Sequence, residues 1–203
     1  ALAVGPFDKK ARPWPYEAVQ AHHTHFSCAL FEWNTAETVR DFRRTKTRWT
    51  GAICVVLDDV GEVKNGVLIK APPEKPTAIL ETKPGSFQYV YLFNEIVRDR
   101  ELINTIQRSA IAANMCDPGA GNITRITRLP GFLPEGKQHR AKLVWADWSR
   151  RFNAKAFIEK ALQVARVEAP APQEYGEQNL SNHTSEEGAK TLARACQRIS
   201  MAI

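Results

Sequence analysis

The chain has 203 residues, of which 43% are hydrophobic and 25% charged, a composition typical of one globular domain with a short appended piece. It contains neither an apolar run near the about 20 residues that cross a bilayer nor a secretory signal, so we expect a cytoplasmic protein that does not bind membranes. The formal net charge of +6 fits a polyanionic partner, although a solvated basic surface gives the same count.

The four cysteines are widely spaced and form no C-x-x-C pair; they are Cys28, Cys54, Cys116 and Cys196. This spacing argues against a zinc ribbon and against a disulfide framework, so we expect reduced and buried thiols. The first residue is Ala rather than Met, and we therefore expect a fragment of a longer or processed protein.

The N-terminal part of the chain predicts an arm and then a helix. Residues 1–25 are rich in proline with little periodicity, which indicates an arm. The segment 34–48 predicts a basic amphipathic helix, with Asn34 as N-cap and Glu37 three residues later. Its basic side chains suit contact with phosphates, but a solvated helix face explains them equally well.

The body of the chain, 26–166, predicts an α+β domain. The strand candidates are 52–57, 77–81, 88–93, 123–127 and 141–146, and the helix candidates are 99–114 and 153–166. Because the strands at 52–57 and 88–93 are apolar on both faces, we expect helices to cover at least one face of the sheet. A polar, Pro-rich linker at 167–184 then leads to a C-terminal helix at 185–203.

Two adjacent carboxylates, Asp58 and Asp59, follow the apolar strand at 52–57. Removing an unpaired carboxylate from water is costly, so we expect a positive group close to this pair. A simple Asp-Asp-Val-Gly turn that binds nothing remains an equal alternative.

A turn rich in hydrogen-bond donors follows the strand at 77–81. Residues Lys83 to Ser86, followed by Gln88, offer backbone N–H groups, a hydroxyl and an amide that suit a phosphate. The Pro84-Gly85 pair is also a type II turn signal, and such a turn needs no ligand.

A third polar stretch joins Asp117 to two arginines, Arg125 and Arg128. Carboxylates suit Mg²⁺ or Mn²⁺, and Lys, Arg, Ser and Gln suit triphosphate oxygens. The three stretches together therefore predict a nucleotide-and-metal site. The alternative is a turn at 117–119 followed by solvent-facing arginines.

These motifs resemble a known family in their order and spacing. The chain reads D-D-V-G at 58–61, E-T-x-P-G-x-F-Q at 81–88, and D-P-G at 117–119, then R-x-x-R-L-P-G at 125–131 and Lys137. This order is similar to the primase-polymerase domain of phage and plasmid replication proteins, the RepB-like branch of the archaeo-eukaryotic primase superfamily. The resemblance covers residues 50–148, with weaker agreement back to residue 26.

The resemblance implies a primase-polymerase core of the α+β class. In such a core an RNA-recognition-motif-like antiparallel sheet, flanked by helices, carries the active site, and a second small αβ lobe completes it. The acid-any-acid motif of the family falls on Asp58 and Asp59, whose adjacency departs from the pattern. Neighbouring side chains on a regular strand point to opposite faces, so only one reaches a metal unless a bulge or a turn intervenes.

The other motif positions of the resemblance fall on the second and third polar stretches. The small-any-His motif corresponds to Ser86, Phe87 and Gln88, with an amide in place of an imidazole that can become cationic. The third acid of the family falls on or close to Asp117. The asparagine that family members usually carry before the lysine is missing ahead of Lys137.

The resemblance implies that the protein joins nucleoside triphosphates on a single-stranded DNA template in a bacterial or phage-infected cell, as a primase, a DNA polymerase or both. Two Mg²⁺ or Mn²⁺ ions would be held by catalytic Asp58, Asp59 and Asp117. The expected nucleotide-binding and template-binding residues are Lys83, Ser86, Gln88, Arg125, Arg128 and Lys137. A helicase domain or protein is a further expected partner.

Two alternatives stay open at the level of sequence. The first is a non-catalytic domain that binds single-stranded or origin DNA, with a decayed active site. In that case Tyr89, Tyr91 or Phe93 would stack on bases if they are exposed, although a role as buried aromatics is favoured for them. The second is a nuclease using the same acids and metal, although nothing in the sequence positions a water molecule.

Overall fold

The computed structural model describes residues 2–5, 12–13, 25–32, 44–131, 133 and 138–167. The chain divides into two compact units, 1–168 and 169–203, and the second unit lies outside the described residues. The linker at 167–184, apart from its first residue, and the C-terminal helix at 185–203 therefore stay predictions. Within the described ranges, no helix is both long enough and apolar enough to cross a membrane.

The described part of the first unit is built on one antiparallel sheet. The sheet strands are β1 (Leu2–Gly5), β2 (Arg12–Pro13), β3 (His25–Phe31), β4 (Trp49–Val60), β7 (Ala78–Lys83), β8 (Ser86–Val97), β9 (Ile126–Arg128) and β10 (Lys142–Ala146). Their order in the sheet is β10-β7-β8-β4-β3-β1-β2, and β9 pairs with β3 outside this path. A separate hairpin consists of β5 (Val63–Lys64) and β6 (Val67–Leu68).

The long central strands β4 and β8 are buried on both sides because their apolar residues serve two clusters. Val55 and Leu57 belong to the larger cluster, whereas Cys54 and Val56 belong to a smaller one. The sequence TGAICVVL, in which residues 52–57 are all apolar and include Ile and two Val, suits a strand buried on both faces.

Helix α1 (Arg100–Ala112) packs in the larger cluster through Ile103, Ile106 and Ala110. It begins at Asp99, whose carboxylate Oδ1 accepts a hydrogen bond from the Leu102 N–H at 3.0 Å, as an N-cap residue does. Just beyond it, Asn114 adopts φ +55, which turns the chain away from the helix. The helix predicted at 99–114 is therefore confirmed.

The fold class is confirmed as α+β with a large antiparallel sheet. The strands predicted at 52–57, 77–81, 88–93 and 141–146 correspond to β4, β7, β8 and β10. The expected cover of helix on one face of the sheet is provided by α1. The Pro84-Gly85 turn joins β7 to β8, and Gly85 has φ +78, a conformation that favours glycine.

Three sequence-based elements differ from the structure. The strand predicted at 123–127 is shorter and later, Ile126–Arg128, because Asn122 Oδ1 accepts hydrogen bonds from both the N–H and the hydroxyl of Thr124 and forms a turn. The helix predicted at 153–166 contains only a short π-helical stretch, Ile158–Leu162, which ends where Gln163 adopts φ +53.

The helix predicted at 34–48 is not α-helical at its end: Lys46–Arg48 form a short 3₁₀ helix, and residues 34–43 lie outside the described residues.

Several strands were not predicted from the sequence. Strand β3 alternates buried and half-buried residues along its whole length, and β1 and β2 form within the segment expected to be an arm. The β5–β6 hairpin was missed because its strands have only two residues each, too few for a detectable period.

Candidate active site

The two adjacent aspartates lie on a bulge in the central strand. In the β4–β8 pairing Leu57 faces Tyr89 and Val60 faces Phe87, so that Asp58 and Asp59 together stand opposite the single residue between Phe87 and Tyr89. Asp59 has φ +57, a left-handed conformation that Asp tolerates better than most residues. The bulge interrupts strict alternation, which removes the objection that adjacent carboxylates must point to opposite faces.

Asp58 is a buried carboxylate with its own counter-ion. Its side chain is 9% exposed and forms an ion pair with Arg125 through Oδ2. Its Oδ1 accepts hydrogen bonds from Gln88 Nε2 at 3.0 Å and from the Asp59 N–H at 3.0 Å. The positive group expected beside the doublet is therefore present, and it comes from 67 residues further along the chain.

Asp59 has a different set of partners. Its Oδ2 lies 2.9 Å from Lys64 Nζ, and its Oδ1 accepts a hydrogen bond from the Ser86 hydroxyl at 3.2 Å. Lys64 Nζ also lies 3.7 Å from Glu62 Oε2. The hydrogen bond with Asp59 raises the pKa of Lys64 against the opposing effect of burial, and the charges of Asp59, Asp117 and Glu62 raise it further.

Glu62 links this group to the β7–β8 turn. Its Oε1 lies 2.7 Å from Lys83 Nζ. Burial by itself raises the pKa of Glu62, but hydrogen bonds with Lys83 and Ser86 outweigh that effect, so the pKa lies below its usual value. Glu62 is therefore a carboxylate that remains charged near neutral pH.

The glycine of the D-D-V-G motif lets two turns approach each other. Gly61 has φ +92, and a Cβ added there would lie 2.7 Å from the carbonyl oxygen of Gly85. Only glycine fits at this position without moving the backbone. The first two motifs of the sequence, D-D-V-G and the Pro84-Gly85 turn, are thus in direct contact.

Asp117 reaches the site through its backbone. Its N–H donates to the carbonyl oxygen of Asp58 at 3.0 Å, and its side chain Oδ1 accepts from the Gly119 N–H at 3.2 Å. Arg125 Nη1 donates to the carbonyl oxygen of Gly119 at 2.9 Å, which ties the same turn to Asp58. The backbone of Asp117 therefore lies beside the doublet, while its carboxylate caps the turn that follows it.

The structure brings most of the predicted site residues together. The Gln88 amide nitrogen donates a hydrogen bond to the Asp58 carboxylate, and the Ser86 hydroxyl donates one to the Asp59 carboxylate. These two donors therefore do not face solvent. Arg128 Nη1 donates to the carbonyl oxygen of Thr82 at 2.7 Å, near the end of β7. Lys137 lies outside the described residues.

Sequence reasoning missed three residues of this site: Glu62, Lys64 and Cys116. Glu62 and Lys64 follow Gly61 in the run G-E-V-K, and alternation of charge directly after the doublet was the available signal. Cys116 is buried, and its sulfur accepts a hydrogen bond from the Asp58 N–H at 3.4 Å. Burial raises the pKa of Cys116 to about 12, so its thiol is neutral.

The aromatic residues of β8 do not form a base-stacking surface. Tyr91 and Phe93 are buried in the larger cluster, in edge-to-face contact with Phe157. Tyr89 is half-buried and packs against the same cluster. The exposure that base stacking by Tyr91 or Phe93 requires is therefore absent, and the favoured role of these residues as buried aromatics is confirmed, because α1 and the 152–162 segment occupy that face.

A basic cleft lies beside the β7–β8 turn. It has a volume of 260 Å³ and is lined by three Lys or Arg side chains, one histidine and one acidic side chain; its lining residues are Glu81, Lys83, Pro84, Gln138, His139, Arg140 and Lys142. Lys83 belongs both to this cleft and to the ion pair with Glu62. Asp59 and Glu62 form a carboxylate cluster around Lys64. The cleft is adjacent to this carboxylate cluster, through Lys83, and has the opposite charge.

The site contains oxygen donors of the kind that bind hard divalent cations. No group of three or more His, Cys, Asp or Glu side chains in the described part of the chain is arranged to hold a metal as it stands. However, Asp59 and Glu62 already share one cation, Lys64 Nζ, and the buried Gln88 Oε1 accepts no hydrogen bond from the described residues. The carboxylates of Asp59 and Glu62 are oxygen donors, which Mg²⁺ and Mn²⁺ prefer, so these two residues fit such an ion in place of Lys64 Nζ.

The α+β fold, with its antiparallel sheet and acidic residues at the end of a central strand, is similar to that of primase-polymerase domains. The AEP domain of the cyanophage S-2L primase-polymerase is similar with a TM-score of 0.53 and 15% identity, over 79% of this chain and 87% of that one. The model of the RepB DNA-primase N-terminal domain matches residues 42–170. The chain belongs to this family, which confirms the resemblance read from the motifs and gives it a primase-type function in DNA replication.

Two further solved structures are less similar to this chain. The catalytic domain of primase RepB′ in complex with initiator DNA has a TM-score of 0.42 and 23% identity, over 57% of this chain and 61% of that one. Primase RepB′ has a TM-score of 0.42 and 18% identity, over 76% of this chain and 47% of that one. None of the curated proteins compared with the chain matches it.

Proposed function

We propose that the chain is a nucleotidyltransferase that joins nucleoside triphosphates on a single-stranded DNA template, as a primase, a DNA polymerase or both. The observation that carries this proposal is that the carboxylates of Asp59 and Glu62 meet at one cationic position, Lys64 Nζ, directly beside a bulge in the central strand and close to the backbone of Asp117. Within a primase family domain, such a cluster suits nucleotidyl transfer better than it suits a plain turn.

The carboxylates divide into two roles in this proposal. Asp59, Asp117 and Glu62 hold Mg²⁺ or Mn²⁺, whereas Asp58, fixed by Arg125 and the amide of Gln88, sets the shape of the bulge. The ions, when bound, activate the attacking 3′-hydroxyl and neutralise the leaving pyrophosphate. The hydroxyl of Ser86 and the amide of Gln88 act as positioning groups for the two aspartates rather than as phosphate ligands.

The cationic residues supply the contacts to phosphate. Lys83, Arg125, Arg128 and Lys137 are the candidates for the triphosphate, since a guanidinium or an ammonium matches phosphate oxygens. The basic cleft beside the β7–β8 turn is the candidate for the template backbone, through Arg140 and Lys142. A template lying there would pass next to the carboxylate cluster, because Lys83 lies on the boundary of both.

The test is primer synthesis and primer extension by the Asp59→Asn variant, with Mg²⁺ and with Mn²⁺. Asn tolerates the left-handed backbone and still accepts the Ser86 hydrogen bond, so the variant should fold, but it removes the charge that holds the ion. We expect activity to fall by at least about a hundredfold, the scale of losing one electrostatic group in an active site. The exposed Lys70→Gln variant is the control and should retain wild-type activity.

A second candidate function is binding of single-stranded or origin DNA without catalysis. It is favoured by one observation: both aspartates of the doublet already pair with cations, Asp58 with Arg125 and Asp59 with Lys64. Wild-type protein that binds single strands but makes no product with either metal would establish this function. An active wild type with an equally active Asp59→Asn variant would contradict the assignment of Asp59.

A further inference from the structure

Lys64 occupies the centre of the carboxylate cluster. Its Nζ lies 2.9 Å from Asp59 Oδ2 and 3.7 Å from Glu62 Oε2. The lysine side chain is 37% exposed, while the two carboxylates are 19% and 15% exposed. The ammonium is therefore partly enclosed among acidic groups, at the position where the proposed function requires a divalent ion.

The backbone of Lys64 is held firmly although its side chain is long. The β5–β6 hairpin turns at Asn65 and Gly66, whose φ values of +51 and +77 are those of a type I′ turn. Its base is fixed to the body by hydrogen bonds from Gly61 N to Ile69 O at 2.9 Å and from Ile69 N to Glu62 O at 2.8 Å. Any rearrangement of the ammonium therefore involves the flexible side chain rather than the hairpin.

An ammonium and a divalent ion compete for the same oxygens. Mn²⁺ and Mg²⁺ coordinate carboxylate oxygens at about 2.0 to 2.3 Å, closer than an ammonium approaches in a hydrogen bond. Two cations bound to one carboxylate edge at these distances also repel each other. Lys64 cannot keep both contacts when an ion binds to Asp59 and Glu62.

We propose that Lys64 is a resident counter-ion of the carboxylate cluster that gives way to a divalent ion and then pairs with the triphosphate, so that it couples metal binding to nucleotide binding. This inference rests on the proposed function, since it assumes metal and nucleotide at this cluster. Before the ion binds, the ammonium of Lys64 offsets the repulsion between the carboxylates of Asp59 and Glu62. Once released, the ammonium finds a new partner only when a triphosphate is present, so each ligand favours the other.

The competing explanation is that Lys64 only fastens the hairpin to Asp59. In that case its removal would let the carboxylates separate, and metal binding would weaken. The two explanations thus predict opposite signs for the same measurement, which makes the substitution Lys64→Gln decisive. Glutamine keeps most of the side-chain length and a polar end but removes the charge.

The experiment measures Mn²⁺ binding to the whole 203-residue chain by calorimetry and by electron paramagnetic resonance, at low salt. Each variant is titrated alone and with a non-hydrolysable deoxynucleoside triphosphate. Without nucleotide, we expect Lys64→Gln to bind Mn²⁺ about fivefold more tightly than wild type. This factor corresponds to the energetic contribution of one partly exposed ion pair, which the ion no longer has to displace. With nucleotide, the Mn²⁺ affinity should rise by a larger factor in wild type than in Lys64→Gln.

The controls separate this inference from the proposed function. Lys70→Gln removes a charge from an exposed lysine six residues away and should leave Mn²⁺ binding unchanged. If wild type binds Mn²⁺ tightly and Lys64→Gln binds it equally or more weakly, only the proposed role of Lys64 is overturned. Mn²⁺ binding that is absent in wild type, or unaltered by Asp59→Asn, overturns the metal site itself and with it this inference.

Discussion

Substituting the two adjacent aspartates one at a time is expected to destabilise the protein to very different degrees. In Asp58→Asn, the new amide nitrogen can face the Arg125 guanidinium, placing donor against donor where an ion pair was. The Arg125 side chain is only 28% exposed, so water compensates it incompletely. Breaking a fully buried pair costs about 3 to 5 kcal/mol, and for this partly exposed partner we expect a loss of about 2 to 3 kcal/mol.

Asp59→Asn should cost much less. Its partner Lys64 is 37% exposed, and such surface pairs contribute about 0.2 to 1 kcal/mol. The amide oxygen of asparagine can still accept from Ser86, and asparagine tolerates the left-handed φ of +57. We therefore expect a loss below about 1 kcal/mol.

The assay is urea unfolding of the whole chain, followed by tryptophan fluorescence, with the unfolding free energy taken from midpoint and slope. An Arg125→Met change should destabilise wild type but have a smaller effect on Asp58→Asn, because the pair is already broken. Equal losses for Asp58→Asn and Asp59→Asn, or a larger loss for Asp59→Asn, would refute the division between a structural and a functional aspartate.

Two further predictions concern the cleft and a thiol. Replacing both Arg140 and Lys142 with Gln should reduce the slope of log affinity for single-stranded DNA against log salt by about 1.4, or 0.7 per lost phosphate contact; an unchanged slope would show that the template lies elsewhere. Cys116 should resist alkylation by iodoacetamide at pH 8 in the folded protein, since burial raises its pKa to about 12, and should react once urea unfolds it. Rapid modification of Cys116 in the native state, measured by mass spectrometry of its peptide, would contradict the burial.

Local sequence patterns determined the main framework of the sheet. The apolar runs of β4 and β8 predict strands buried on both faces, because neither face of such a run carries polar side chains that could contact water. A helix was also predicted at 99–114, where α1 forms. The order of the motifs also identified the family, because each motif is a short run of neighbouring residues that can be recognised without the tertiary structure. In contrast, the two-residue strands of the hairpin have no period to detect, and Asn122 converted an expected strand start into a turn.

The sequence also predicted that a positive group would lie beside Asp58 and Asp59, because an isolated buried carboxylate is unstable. Which group it would be was decided only by tertiary structure: Arg125 comes from 67 residues away, and no local pattern encodes such a pairing. The sheet register placed the bulge at the doublet, and the bulge gave each aspartate a different partner. The physical reason is that periodicity reports which residues are buried, whereas chain packing decides which buried charges meet.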